Sequence, residues 1–230
     1  MSIPDKYIYL TALIPFLLIW VFIFIRRKDL RREIIFISLL ASIFNVLSSY
    51  LWWTKDWWRP PTITGTVVGV EDMLLGFFCG GIMSVIYDLI FNKKYSKRAL
   101  KHRPLNAYIF LIFSTSLMAW LFYRVGLTSF WSSTISMILF VIFMIYIRKD
   151  LFFNALVSGT AMMAISILFY IIIITLSNTW IDSTYLPSLS GFRIWNVPVE
   201  EFVFWFLAGM WIGPFYEYSL GKKLKSIAVK

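Results

Sequence analysis

Residues 70–88, VEDMLLGFFCGGIMSVIYD, lie without a gap on residues 199–217, VEEFVFWFLAGMWIGPFYE, at a constant displacement of 129. The polar positions coincide: Glu71 with Glu200, Asp72 with Glu201, Gly80 with Gly209, Tyr87 with Tyr216 and Asp88 with Glu217. Apolar composition alone does not align acids with acids. Upstream, Arg27-Lys28-Asp29-Leu30 matches Arg148-Lys149-Asp150-Leu151 at a displacement of 121, the difference being a longer loop before the second copy of the acidic segment.

The chain around these segments is as apolar as they are. Of 230 residues, 60% are hydrophobic, 20% aromatic and only 15% charged, more apolar side chains than a soluble domain of this length could bury. A hydrocarbon core roughly 30 Å thick takes about 20 apolar residues per helix. The apolar runs therefore predict an all-α integral membrane protein of seven transmembrane helices: TM1 near 8–25, TM2 near 34–53, TM3 near 67–91, TM4 near 105–123, TM5 near 131–147, TM6 near 151–176 and TM7 near 197–220. That leaves no room for a separate soluble catalytic domain. The matches pair TM1–TM3 with TM5–TM7 around a connecting TM4, a parallel repeat of three plus one plus three helices. Residues 1–92 then form the first unit, 93–130 the basic loop and TM4, and 131–230 the second unit and basic tail. TM1 has no basic segment before it and no small-residue cleavage site after it, so it reads as a retained helix. Gly76 and Gly80, like Gly209 and Gly213, have the spacing that lets helices approach closely. Asn45, Ser48, Ser49, Asn154, Ser158 and Thr160 are placed for hydrogen bonds across the interior. The single cysteine, Cys79, lies in an apolar run and reads as core, with no disulfide framework possible.

The net charge of +10 is unevenly placed. Arg26, Arg27, Lys28, Arg31 and Arg32 lie between TM1 and TM2, and Lys93, Lys94, Lys97, Arg98, Lys101 and Arg103 between TM3 and TM4. Arg148 and Lys149 follow TM5, and Lys222, Lys223, Lys225 and Lys230 occupy the tail, against Lys6, Lys55, Arg59, Arg124 and Arg193 on the opposite side. The positive-inside rule puts the amino terminus outside and the carboxyl terminus in the cytoplasm, as in a prokaryotic cell membrane. Anionic lipid headgroups account for the basic loops, and no nucleic-acid role follows from them.

Glu71, Asp72, Glu200 and Glu201 stand at the outer starts of TM3 and TM7. A charge held at membrane depth costs about 2.5–3.5 kcal/mol on insertion scales, so such groups should face the bundle interior. Two adjacent carboxyls in a low-dielectric site cannot both ionise cheaply, so one is expected to hold its proton, as a general acid must. The plainer alternative is that the four acids cap the amino ends of their helices at headgroup depth. Asp88 and Glu217 lie about 25 Å further along and should pair with the basic loops. Trp52, Trp53, Trp57, Trp58, Trp180, Tyr185, Trp195, Trp205 and Phe206 gather around the outer acids. They suit an interfacial belt, but an electron-rich ring also stabilises a carbocation without offering a nucleophile to quench it. Trp53, Trp57, Trp195, Trp205, Phe77 and Phe206 are the candidate substrate-binding residues.

The run Pro198, Val199, Glu200, Glu201, followed by Phe202, Phe204, Phe206 and the Tyr216-Glu217 pair, resembles the membrane lycopene cyclase domain of archaeal, heterodimeric bacterial and fungal bifunctional enzymes. That family carries P-x-E-(E/D), aromatics after it and a Tyr-acid pair in each of two similar halves. The first half here has Gly69 where the motif has proline. The resemblance implies a redox-neutral isomerisation of a linear polyene end to a β-ionone ring, with Glu71, Asp72, Glu200 and Glu201 catalytic, and Pro198, Gly80, Gly209, Tyr87 and Tyr216 as structural motif. It also implies a lipophilic carotenoid partner and no metal or redox cofactor. The sequence contains no Gly-rich nucleotide loop, and the lone His102 lies in a basic loop. A three-plus-one-plus-three sugar transporter is disfavoured because the chain has no glutamine, a rhodopsin because TM7 has no lysine, and a glutamic protease because position 205 is Trp. A non-catalytic transporter or lipid-binding protein is the remaining alternative.

Overall fold

A computed structural model of the chain describes residues 3–96, 104–177, 179–186, 189–222 and 224–226. The basic positions Lys97, Arg98, Lys101, His102, Arg103, Lys223 and Lys230 lie outside them. Among the described residues six helices are long and apolar enough to cross a membrane: α1 (Asp5–Arg26), α2 (Arg31–Asp56), α3 (Val70–Ile90), α4 (Ala107–Val125), α5 (Ser129–Ile147) and α6 (Lys149–Leu176). The chain is an integral membrane protein by this measure. The expected TM7 is not one continuous helix. Val197–Pro198 forms a strand, and the helical part is divided into α7 (Val199–Ile212) and α8 (Phe215–Leu220). The division falls at Gly213-Pro214, where the proline has no N–H to continue the ladder.

Two of the most extensive helix seams are α2 against α3 and α6 against α7. Glycine makes both possible. A Cβ on Gly76 would come within 2.7 Å of the Ala41 carbonyl, and one on Gly209 within 2.6 Å of the Ser158 carbonyl. Gly80 and Gly213 press on the same two partner helices, so the small-residue spacing in the sequence does serve close packing.

The ends of the bundle differ. At the aromatic end the loops before α3 and α7 meet in a bridge between Trp58 and Tyr185. At the basic end β1 (Lys93–Tyr95), which follows α3, pairs antiparallel with β4 (Leu224–Ser226), which follows α8. Helices α3 and α7 therefore run in the same direction. Just before α7, β2 (Arg193–Ile194) and β3 (Val197–Pro198) form a hairpin. Its two turn residues, Trp195 and Asn196, have φ of 50° and 65°, as a tight two-residue hairpin turn demands. In α2, residues Ser49–Trp53 form a π-helical turn, an irregularity often found where helices carry functional groups.

Candidate functional site

The chief interior cavity opens among α2, α3, α4, α5, α6 and α7, and is lined by Asp72 and Glu201 together with Trp53, Trp57, Tyr170 and Trp205. Both acids are almost wholly buried. Asp72 lies at the third position of α3 and reaches back to accept the Gly69 N–H at 2.9 Å, closing the first turn. Its other oxygen accepts from the Ser49 hydroxyl at 3.2 Å and the Tyr9 hydroxyl at 3.4 Å. Glu201 has no such cap available, because Pro198 lacks the N–H that Gly69 supplies. It reaches across the bundle instead, accepting the Trp57 indole N–H at 2.8 Å and the Tyr170 hydroxyl.

Tyr170 accepts the Trp205 indole N–H at 3.1 Å and lies 3.3 Å from the Tyr185 hydroxyl. Burial pushes the Tyr185 phenol well above its ordinary value, so it stays an O–H group. The Trp53 indole N–H is bound by Ser133 at 3.2 Å. With their N–H groups tied to acceptors, Trp53, Trp57 and Trp205 offer the cavity only ring carbon. Phe204 packs edge-on against Trp53 and Trp57 at 5.4 and 5.1 Å between centroids. The site is thus a wall of aromatic carbon holding two acids, one from each half of the chain.

Glu71 and Glu200 do not line this cavity. Successive helical residues point about 100° apart, so neighbours cannot share one face. Each holds the loop ahead of its helix: Glu71 accepts the Ile63 N–H at 2.6 Å, and Glu200 the Ser190 N–H at 2.7 Å. The second oxygen of each has no hydrogen-bond partner among the described residues. The four acids expected to face the interior as catalytic groups are all buried, but they divide into two that line the cavity and two that hold loops.

The aromatics divide similarly. Trp195, in the hairpin turn, is 71% exposed and lines a separate shallow cleft with Phe202. Phe77 packs on Trp20 at 5.2 Å, and Phe206 lies against Gly159; neither lines the chief cavity. Tyr87 stacks near Phe91, and Tyr216 near Phe36 and Tyr95, both toward the basic end. Sequence reasoning did not single out Tyr9 and Tyr170. The available signal was that Tyr170 stands 121 residues after Ser49, the displacement already given by the Arg-Lys-Asp-Leu match.

At the basic end the expected pairing of Asp88 and Glu217 with cationic side chains is absent among the described residues. Arg27 donates to the Asp88 carbonyl at 2.7 Å and Arg148 to the Glu217 carbonyl at 3.2 Å. Each arginine makes its ion pair with the aspartate two residues on, at 3.0 Å for Asp29 and 2.8 Å for Asp150. Both Asp88 carboxyl oxygens lack a hydrogen-bond partner among the described residues. The arginines thus act as C-terminal caps for helix carbonyls.

Two buried acids beside aromatic rings, inside a bundle of apolar helices, make a cavity suited to a lipophilic ligand. The lycopene cyclase family model matches residues 6–90 and 128–219, most of the chain, and the protein belongs to the lycopene cyclase family. No curated protein and no solved structure matches the chain. Family membership supports a carotenoid cyclase working on a lipophilic substrate in a membrane.

Proposed function

We propose that the protein is an intramolecular lyase of the lycopene β-cyclase type, converting the linear end of lycopene or a related carotenoid to a β-ionone ring, with Glu201 as general acid and Asp72 as general base. The observation that carries this reading is that the two acids, from α3 and α7, line one aromatic cavity. The Glu201 proton adds to the terminal alkene and leaves a tertiary carbocation. The electron pair of the internal alkene closes the ring and moves the charge onto it. Asp72 then takes the adjacent ring proton, and the released C–H pair becomes the ring double bond. One proton enters and one leaves, so no oxidant or reductant is consumed. The aromatic wall stabilises the intermediate cations by about 2 kcal/mol or more per desolvated ring face.

Glu71 and Glu200 serve this site by holding the loops that start α3 and α7. We read the two halves as a parallel repeat of three helices each, with the divided α7–α8 as the seventh span and α4 as connector. The matched stretches on either side of α4 support this, as do the equivalent roles of Arg27 and Arg148. The positive-inside rule places the basic end in the cytoplasm.

The deciding experiment is expression in a lycopene-accumulating bacterium followed by chromatography of the pigments. Cyclised carotenoid is expected. Unchanged lycopene beside membrane-inserted protein would instead favour a non-catalytic transporter or carotenoid-binding role.

A further inference from the structure

The cavity is shorter than the proposed substrate. Its lining runs from Trp53 to Ile37 along α2, about 24 Å at 1.5 Å per residue, and from Asp72 to Met83 along α3, about 16 Å. An extended carotenoid is about as long as the roughly 30 Å apolar core of a bilayer. With one end group at Asp72 and Glu201, part of the chain must pass through the wall.

The wall has a gap of the right kind. Leu40 and Phe44 of α2 and Leu111 and Thr115 of α4 all line the cavity, and all four are half-buried, next to the exposed Ile43 and Ile112 on the same helices. Helices α2 and α4 make little backbone contact with each other along this stretch. The gap is bounded at both ends. Toward the aromatic end the Tyr123 hydroxyl donates to the Leu51 carbonyl and receives the Lys55 ammonium at 2.8 Å. Toward the basic end α4 closes onto α8. The outer flanks are apolar, with Ile43 61% and Ile112 66% exposed, as surfaces facing lipid are.

Resting on the cyclase reading, we infer that the slit between α2 and α4 is a lateral portal through which a linear carotenoid is drawn end-first from the bilayer, its distal part remaining in lipid during reaction. The site then reads one end group and ignores the other. Two rings form in two separate binding events, with the monocyclic product released between them. A carotenoid whose far end already bears a polar or bulky ring remains a substrate at its free end.

The test uses the whole protein in liposomes, with lycopene and with a carotenoid carrying one linear end and one glycosylated ring. The unaltered protein is expected to cyclise both at rates within about threefold, with the monocyclic product appearing free before the bicyclic one. Thr115→Trp and Leu111→Trp should slow lycopene turnover by about tenfold or more, whereas Phe113→Trp, 58% exposed on the opposite face of the same helix, should not. Conversion of lycopene but not of the glycosylated substrate would overturn the inference, as would portal variants that turn over at the unaltered rate. Where a portal variant does not accumulate in the membrane, the substrate comparison on the unaltered protein decides alone. If the unaltered protein converts neither carotenoid, it is the cyclase reading that fails.

Discussion

Ser49 and Tyr170 stand 121 positions apart in the chain, and each hydrogen-bonds the second acid of its own half, Ser49 that of Asp72 at 3.2 Å and Tyr170 that of Glu201. The positions are equivalent but the consequences of losing them are not. Ser49→Ala leaves Asp72 with the Gly69 N–H and the Tyr9 hydroxyl. Tyr170→Phe removes a hydrogen bond from Glu201 and also takes away the acceptor of the Trp205 indole N–H. Each unsatisfied buried group costs about 1–3 kcal/mol. Tyr170→Phe is expected to lower ring formation by about tenfold or more, and Ser49→Ala by much less, read as the ratio of cyclised to linear pigment.

Glu201→Gln and Asp72→Asn keep shape but cannot exchange a proton with a hydrocarbon. Each should reduce cyclisation by about a hundredfold or more, the usual contribution of a general acid or base, while the protein still inserts. Glu71→Ala and Glu200→Ala should do the reverse. They free the Ile63 and Ser190 N–H groups, so the thermal midpoint in detergent should fall while turnover is partly retained. Loss of activity without loss of stability in Glu200→Ala would return that residue to the catalytic set.

Gly69→Pro would make the first half match the motif of the second. It deletes the N–H that Asp72 accepts at 2.9 Å, and a substituent at this position meets Thr62 and the Glu71 carboxylate. Loss of such a cap costs about 1 kcal/mol. A lower midpoint and a weakened site are expected, so restoring the motif should harm this protein.

Much of this was legible in the chain. Apolar run lengths marked seven spans, six of which stand as long apolar helices among the described residues, and aligned acids marked the two helices whose acids line the cavity. The break at Pro214 was present in the sequence, but a span drawn from hydropathy alone runs through it, because Gly213 and Pro214 are flanked by apolar residues. The separation of Glu71 from Asp72 required the 100° step between helical neighbours, which side-by-side acids in a written sequence conceal. The placing of Trp195 was hidden for another reason. Its position depends on a hairpin whose register is set by backbone pairing, not by side-chain pattern.

The basic end gives a pH dependence. The Arg27 guanidinium hydrogen-bonded to Asp29 holds that carboxyl below its ordinary value of 3.8. A depressed folded-state value means stability that is present above the unfolded value and lost as pH falls through the folded one. Asp29 is largely accessible, so the effect should be about 0.5 kcal/mol. Asp29→Asn is expected to lower the thermal midpoint slightly at about pH 7, with the difference from the unaltered protein narrowing below about pH 4.

The loops at the aromatic end are tied together by more than side chains. The Arg59 N–H donates to the Thr184 carbonyl and the Leu186 N–H to the Trp57 carbonyl, each at 2.9 Å, on either side of the Trp58–Tyr185 bridge. This cross-stitch joins the two halves directly above the acids, where a tertiary cation would otherwise meet the aqueous phase. Such a cation has two fates, elimination to an alkene or hydration to a tertiary alcohol, and the choice depends on whether water can reach it before the base acts. On the proposed cyclisation, loosening the stitched loops is therefore expected to change product identity more than rate, diverting part of the pigment to hydroxylated chains and rings, read by chromatography, while total conversion of lycopene stays nearly the same.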